Sequence, residues 1–331
     1  MFVVNSLGLA TLFCVITMLG WGSWANTQKL AGQDKWGFPL YYWDYALGVF
    51  LLGLVFMMTL GNWGSAGMGA WQNLAQAAPA PVAHALVSGA LFNLSNILLV
   101  VAIDTAGMAV AFPIGVGLAL VIGTVLSYIQ APKGNPGLLF AGVVLVLFAM
   151  VMSAMAYRKL ARPAGHNWSR GVVFAVLAGC LMGFFYPQLS ASLSPGFNSD
   201  PIQPGLLTPY TALGLFGAGL VASNVVLNTV FLRMSGLSYG AYFRGTPRLH
   251  CLGVAGGMIW MLALGLNLIA SGAVGPAVSY ALGQGATLVA AIWGVAIWHE
   301  FRDAPRGTGR LILLMFIGYG CGLALVGMAT L

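Results

Sequence analysis

Charge is what this sequence has least of. Lys, Arg, Asp and Glu together make up 6% of its 331 residues, where a soluble domain carries about a quarter. So few ions cannot build a water-facing surface, which excludes an ordinary soluble protein. Cysteine is also sparse: Cys14, Cys180, Cys251 and Cys321 each stand alone in an apolar stretch. This spacing offers no metal or redox pair, so they read as small packing residues and no cofactor or metal is expected. His84, His166, His250 and His299 are scattered over separate loops or helix ends. Without clustered carboxylates, histidines or ligands, an enzyme is not expected. WHEFRD, from Trp298 to Asp303, lacks the second histidine of a zinc-hydrolase motif. It reads as surface ion pairing that latches the last two helices. The net charge of +7 is dispersed over short loops, which argues against nucleic acid as a partner.

What the sequence does have is apolar length. Hydrophobic residues make up 60% of the chain, and a bilayer-crossing helix needs about 20 in succession. Backbone groups in lipid must pair within their own segment, and the alternation of a barrel strand is absent. Spans are therefore predicted near 5–27, 40–61, 82–103, 107–130, 136–157, 170–193, 208–232, 250–271, 275–297 and 309–330. The first run, Ser6 to Ala25, has no basic region before it, so it reads as a retained helix and not a leader. The fold class is thus an all-α polytopic membrane protein with lipid as its solvent.

Alternating the sides of ten spans gathers twelve of the thirteen basic residues on one side and leaves Lys133 alone on the other. The positive-inside rule makes the first side cytoplasmic and both termini outward. The lysine- and arginine-free loop from Ser194 to Gly205 fits the outer face.

An internal repeat is visible as well. AVAFPIGVGLALV from Ala109 aligns without a gap on AVSYALGQGATLV from Ala277. This makes the fourth and ninth spans equivalent and divides the chain into two five-helix repeats, 1–157 and 170–331, with a linker at 158–169. Because five is odd, the repeats are inverted. Such a design is recurrent among secondary transporters that bind at the membrane midplane. Pro113 is expected to loosen the fourth span and free a carbonyl.

Few polar residues lie within the spans. Asp44, in YYWDYALG, is either hydrated near the interface or a titrating group able to couple proton movement. Asn93 and Asn96, like Asn224 and Asn228, share helix faces, and Gln284 stands between glycines where the other repeat has Val116. Each amide either ties helices together or donates to and accepts from a solute. Trp24, Tyr186 and Tyr280 are aromatic faces near these amides in the predicted arrangement. Amides and aromatic rings without a fixed midplane charge suit a small, neutral, flat heterocyclic substrate.

LGWGSW, YYWDYALG and TLGNWG in the first two spans, LSN and VIGTVLSY in the third and fourth, and GQGATLVAAIWGVAIWHE in the ninth together resemble the ureide permease family of the drug/metabolite transporter superfamily. The rhamnose-proton symporters and glucose/ribose porters are more distant relatives. The likeness covers most of the chain. It implies ten helices, outward termini, and proton-coupled uptake of allantoin-like ureides, uracil and oxopurines into a bacterial cell across the inner membrane. Trp24, Asp44, Asn96 and Gln284 match positions shared with the family. Phe112 stands where plant relatives are expected to carry an acidic residue, and the central loop is reduced to the run from Tyr157 to Arg170. A sugar-proton symporter of the same superfamily is the alternative, ahead of a drug or metabolite exporter.

Overall fold

The computed structural model describes residues 1–160, 168–199 and 201–330. Most of the predicted linker, with Arg162 and His166, lies outside the described residues. Ten helices among those described are long and apolar enough to cross a membrane. The first is α1 (Leu7–Ser23) continued by α2 (Ala25–Gln33); then come α3 (Phe38–Met58), α5 (Pro79–Ala106), α6 (Met108–Gln130), α7 (Pro136–Leu160) and α8 (Trp168–Ser190). The second set is α9 (Pro209–Met234), α11 (Pro247–Val274), α12 (Pro276–Gly283) with α13 (Ala286–Ile292) and a π-turn at Trp293–Ile297, and α14 (Thr308–Met328). Short helices α4 (Ala70–Gln76) and α10 (Tyr239–Phe243) lie between spans.

Proline sets many of these starts. α5, α7, α9, α11 and α12 each open on one, because its missing N–H costs nothing in the first turn and its fixed φ suits a helix. Apolar windows miss this cue and place several starts up to a few residues inside the helices. Gly107 and Gly275 make the turns into α6 and α12 with closely similar backbone angles, φ 82 and ψ 156 against φ 89 and ψ 150. Only glycine adopts such angles readily, and the two positions are equivalent in the alignment of Ala109 with Ala277.

Two compact units can be distinguished. The first comprises Met1–Asn93 and Gln188–Ala273, the second Leu94–Pro187 and Val274–Leu331. Each draws helices from both halves of the sequence.

In the first unit, glycine permits backbone-to-backbone approach. A Cβ on Gly48 would lie 2.1 Å from the Val254 carbonyl oxygen, and one on Gly257 would lie 2.0 Å from that of Tyr45. α3 and α11 run side by side in the same direction, with Gly253 against Tyr41 and Asp44, Gly53 against Met261 and Gly265 against Phe56. α3 and α9 run oppositely: the Asn228 amide donates to the Pro39 carbonyl at 2.9 Å, while Gly217 faces Phe50 and Gly214 faces Met57. An aromatic stack fills the space beside α11, with Trp260 on Phe92 at 4.0 Å, on Phe216 at 5.7 Å and on Trp21 at 5.9 Å. The segment before α9 is pinned to α4, where Asn73 donates to Leu206 O and accepts from Thr208 N, both at 2.9 Å.

In the second unit, Gly179 and Gly183 of α8 press on Gly115 and Ile122 of α6, and Gly142 of α7 meets Gly322 and Val326 of α14. This is the small-residue packing expected where lipid offers no hydrophobic drive between helices. α6 is assigned as one helix through Pro113, its sixth residue, which has no N–H to give to the carbonyl four residues before it. A discontinuity falls in the ninth span. α12 ends at Gly283 and α13 begins at Ala286. Glycine on both sides of Gln284 weakens the helix there by about 1 kcal/mol each, and the Thr287 hydroxyl caps the Gln284 carbonyl at 2.9 Å.

Candidate functional site

Among the predicted residues, Trp24, Asp44, Asn93, Asn224 and Asn228 fall in the first unit, and Asn96, Tyr186, Tyr280 and Gln284 in the second.

The first unit holds a polar centre built on α3, α10 and α11. Asp44, on the second turn of α3, is 2% exposed. It is not the water-hydrated carboxylate that its place near a helix end allowed. Its Oδ1 accepts from the Tyr242 hydroxyl at 2.7 Å and its Oδ2 lies 2.8 Å from His250 Nδ1. Tyr242 comes from α10 and His250 from the first turn of α11. Burial first, then the hydrogen bond and charge of Asp44, raise the Tyr242 hydroxyl above the ordinary tyrosine range, so it stays a donor. The His250 ring is held edge-on by Trp36 at 5.4 Å and by Tyr242 at 4.8 Å. Gly253 lets Asp44 in, since a Cβ there would sit 2.4 Å from the Asp44 Cβ.

His250 and Tyr242 were not legible as partners of Asp44. They lie 206 and 198 residues away, and the histidines looked scattered. The cue available was Gly253 with Gly257, which marks the face of α11 that meets another helix, one turn beyond His250.

A ladder of buried amides runs beside this centre. Asn93, Asn224 and Asn228 are all fully buried. Asn93 Nδ2 donates to the Ser223 hydroxyl at 2.9 Å, and Asn228 Nδ2 to Pro39 O. The Oδ1 of each has no hydrogen-bond partner among the described residues, and Asn224 has none on either amide atom. The antiparallel contacts of α9 with α3 put Asn224 level with Trp43, whose indole N–H is also buried and unpartnered, as is the Tyr45 hydroxyl. Trp24 lies over Tyr45 at 5.0 Å.

In the second unit, Tyr186 and Tyr280 are fully buried, with ring centroids 4.8 Å apart and the planes tilted by 32°. The Tyr186 and Ser279 hydroxyls are 2.9 Å apart, and the Tyr280 hydroxyl donates to Ala119 O at 3.2 Å. Asn96 and Gln284 are 4% and 9% exposed, with Gln284 in the break between α12 and α13. Glu300, assigned above to a surface latch between the last two helices, accepts from the Tyr157 hydroxyl of α7 at 2.7 Å. The end of the ninth span is thereby tied to the fifth.

No family model matches the chain. Three curated proteins of Arabidopsis thaliana do. Ureide permease 1 and Ureide permease 2 are each 23% identical to it, with 96% of both chains covered. Ureide permease 4 is 22% identical, with 98% of both covered. One solved crystal structure superposes with a TM-score of 0.57 at 15% identity, over 96% of this chain and 95% of that one, a likeness of fold. The curated relatives are permeases, transporters and not enzymes, and this chain is similar to them over nearly its whole length.

Proposed function

We propose that this protein is a secondary active transporter that imports neutral ureides or nucleobases of the allantoin, uracil and xanthine class. In this reading it sits in a bacterial inner membrane with both termini on the periplasmic side, works by alternating access of two inverted five-helix repeats, and couples uptake to protons through Asp44. The observation that carries the solute reading is Asn224. A buried amide with both its donor and its acceptor unpaired is worth about 1 to 3 kcal/mol of lost hydrogen bonding per group. A cis-amide edge, one N–H beside one C=O, is the complement of a primary amide, and ureides and pyrimidinediones carry several such edges. The matching turns at Gly107 and Gly275 support the repeat.

Trp24, Asn93, Asn96, Asn228, Tyr186, Tyr280 and Gln284 are the other proposed determinants of solute binding. The test is uptake of radiolabelled allantoin and uracil into proteoliposomes holding the purified chain, with and without a pH gradient. Accumulation driven by an acidic exterior is expected. Failure to move any ureide, nucleobase or sugar rejects the reading.

A further inference from the structure

Within the polar centre of the first unit, the carboxylate and the imidazole differ in their access to water. The Asp44 side chain is 3% exposed and the His250 side chain 28%. The ring therefore stands between the buried carboxylate and the loop side. One of its nitrogens faces Oδ2 of Asp44 at 2.8 Å. The other lies against Gly245, where a Cβ would come within 2.6 Å of Nε2. A side chain at Gly245 would close that approach. Histidine is also the side chain whose unperturbed charge change falls between pH 5 and 8.

We propose that the transported proton is held by Asp44 and His250 as a pair and enters and leaves through Nε2 of the imidazole, so that His250 is the member in exchange with water. This rests on the reading of the chain as a proton-coupled transporter. The step balances as a relay. A proton from loop water adds to Nε2 of the neutral ring, whose Nδ1–H already points at Asp44. The Nδ1 proton then moves to Oδ2. A neutral carboxylic acid remains beside a neutral ring with its hydrogen on Nε2, and one proton has been gained. Release runs the steps backward.

Tyr242 is a positioning residue here, because its hydroxyl occupies Oδ1 and leaves Oδ2 to the ring. Two arginines on the neighbouring segments have partners of their own. Arg248 pairs with Asp34 at 3.4 Å on the surface, and Arg244 Nε donates to Gly240 O at 3.1 Å. Tyr41, on the same helix as Asp44, is 2.7 Å from the Thr27 hydroxyl.

The test compares two transport modes of the full chain in proteoliposomes with the membrane potential clamped and radiolabelled allantoin as probe. Counterflow without a pH gradient reports the carrier cycle, and accumulation under a gradient reports coupling. One proton per solute sustains about tenfold accumulation for a gradient of about one pH unit. In His250→Asn, whose amide nitrogen keeps the place of Nδ1, and in Asp44→Asn, accumulation is expected to fall to about the external concentration while counterflow stays measurable. Accumulation undiminished in His250→Asn overturns the relay. If wild type shows no counterflow of allantoin, the transport reading fails in that assay and the pair is judged by itself on ¹⁵N-histidine-labelled protein. The resonances that disappear in His250→Asn identify the ring, and its Nδ1 signal, which faces Oδ2 at 2.8 Å, is expected to move in Asp44→Asn. An unmoved Nδ1 signal there overturns the pairing.

Discussion

At Asn224, two polar atoms are buried without a partner among the described residues, and this gives the amide ladder an internal control. If Asn224 exists to bind solute, Asn224→Leu removes an unpaired amide from an apolar site and leaves the melting temperature unchanged or raised. Uptake falls at least about tenfold, as when a polar contact to substrate is lost. Asn228→Leu should behave otherwise. It removes the bond to Pro39 O and lowers stability by about 1 kcal/mol. A thermal scan of both variants in detergent, beside uptake of labelled allantoin, separates the two roles. If Asn224→Leu transports normally, the amide has no solute to meet.

Tyr242 adds a signed pH dependence. Its ordinary value is 10.0, and burial beside Asp44 raises it in the fold. As pH climbs, the unfolded chain releases this proton first, so stability is intact below the ordinary value and declines above it. Tyr242→Phe removes that dependence along with the hydrogen bond. The gap in melting temperature between wild type and variant is therefore expected to narrow as pH is raised from about 9 to about 11.

At the scale of the elements, glycine decides how closely α3 and α11 approach, and through them whether Asp44 reaches His250. Gly48 meets the Val254 carbonyl at a distance no real Cβ tolerates. Neither atom is the end of a flexible side chain, so the helices themselves must separate. Gly48→Ala is expected to cost about 1 to 3 kcal/mol, read as a lower melting temperature. Gly8→Ala, where the nearest atom is 3.8 Å away, is expected to cost little. The predicted spans overlap all ten helices, because apolar length is a one-dimensional property that hydropathy along the chain reports directly. What lay outside that signal was short or distant. α4 and α10 are seven and five residues long, too brief to mark a window. The partnership of Asp44 with His250 and Tyr242 depends on which helix faces touch, and a single sequence states that only through small-residue spacing. Gln284 was recognisable because glycine brackets it, while the break beside it, between α12 and α13, was not foreseen. By residue type alone the amides can serve either packing or a ligand. Only burial with atoms left unpaired tells Asn224 from Asn228.

For the whole molecule, the decisive quantity is the side on which each loop lies, since a proton relay that opens through His250 has a direction only if α10 faces the cytoplasm. Helix directions within each unit agree with ten alternating crossings: α3 and α11 run together, α3 and α9 oppose, α6 and α8 run together, and α7 and α14 oppose. These directions fix relative sense and leave the absolute side to charge. Gln203 lies in the loop before α9, which carries no basic residue, and Arg306 in the basic turn before α14; both are exposed. In a background with Cys251 and Cys321 changed to serine, Gln203→Cys is expected to react with a membrane-impermeant maleimide on intact cells, and Arg306→Cys only after permeabilisation. The reverse pattern would put Tyr242 and His250 on the outer side. The pair would then take up protons from the exterior instead of delivering them inward, and its place in an import cycle would have to be reassigned.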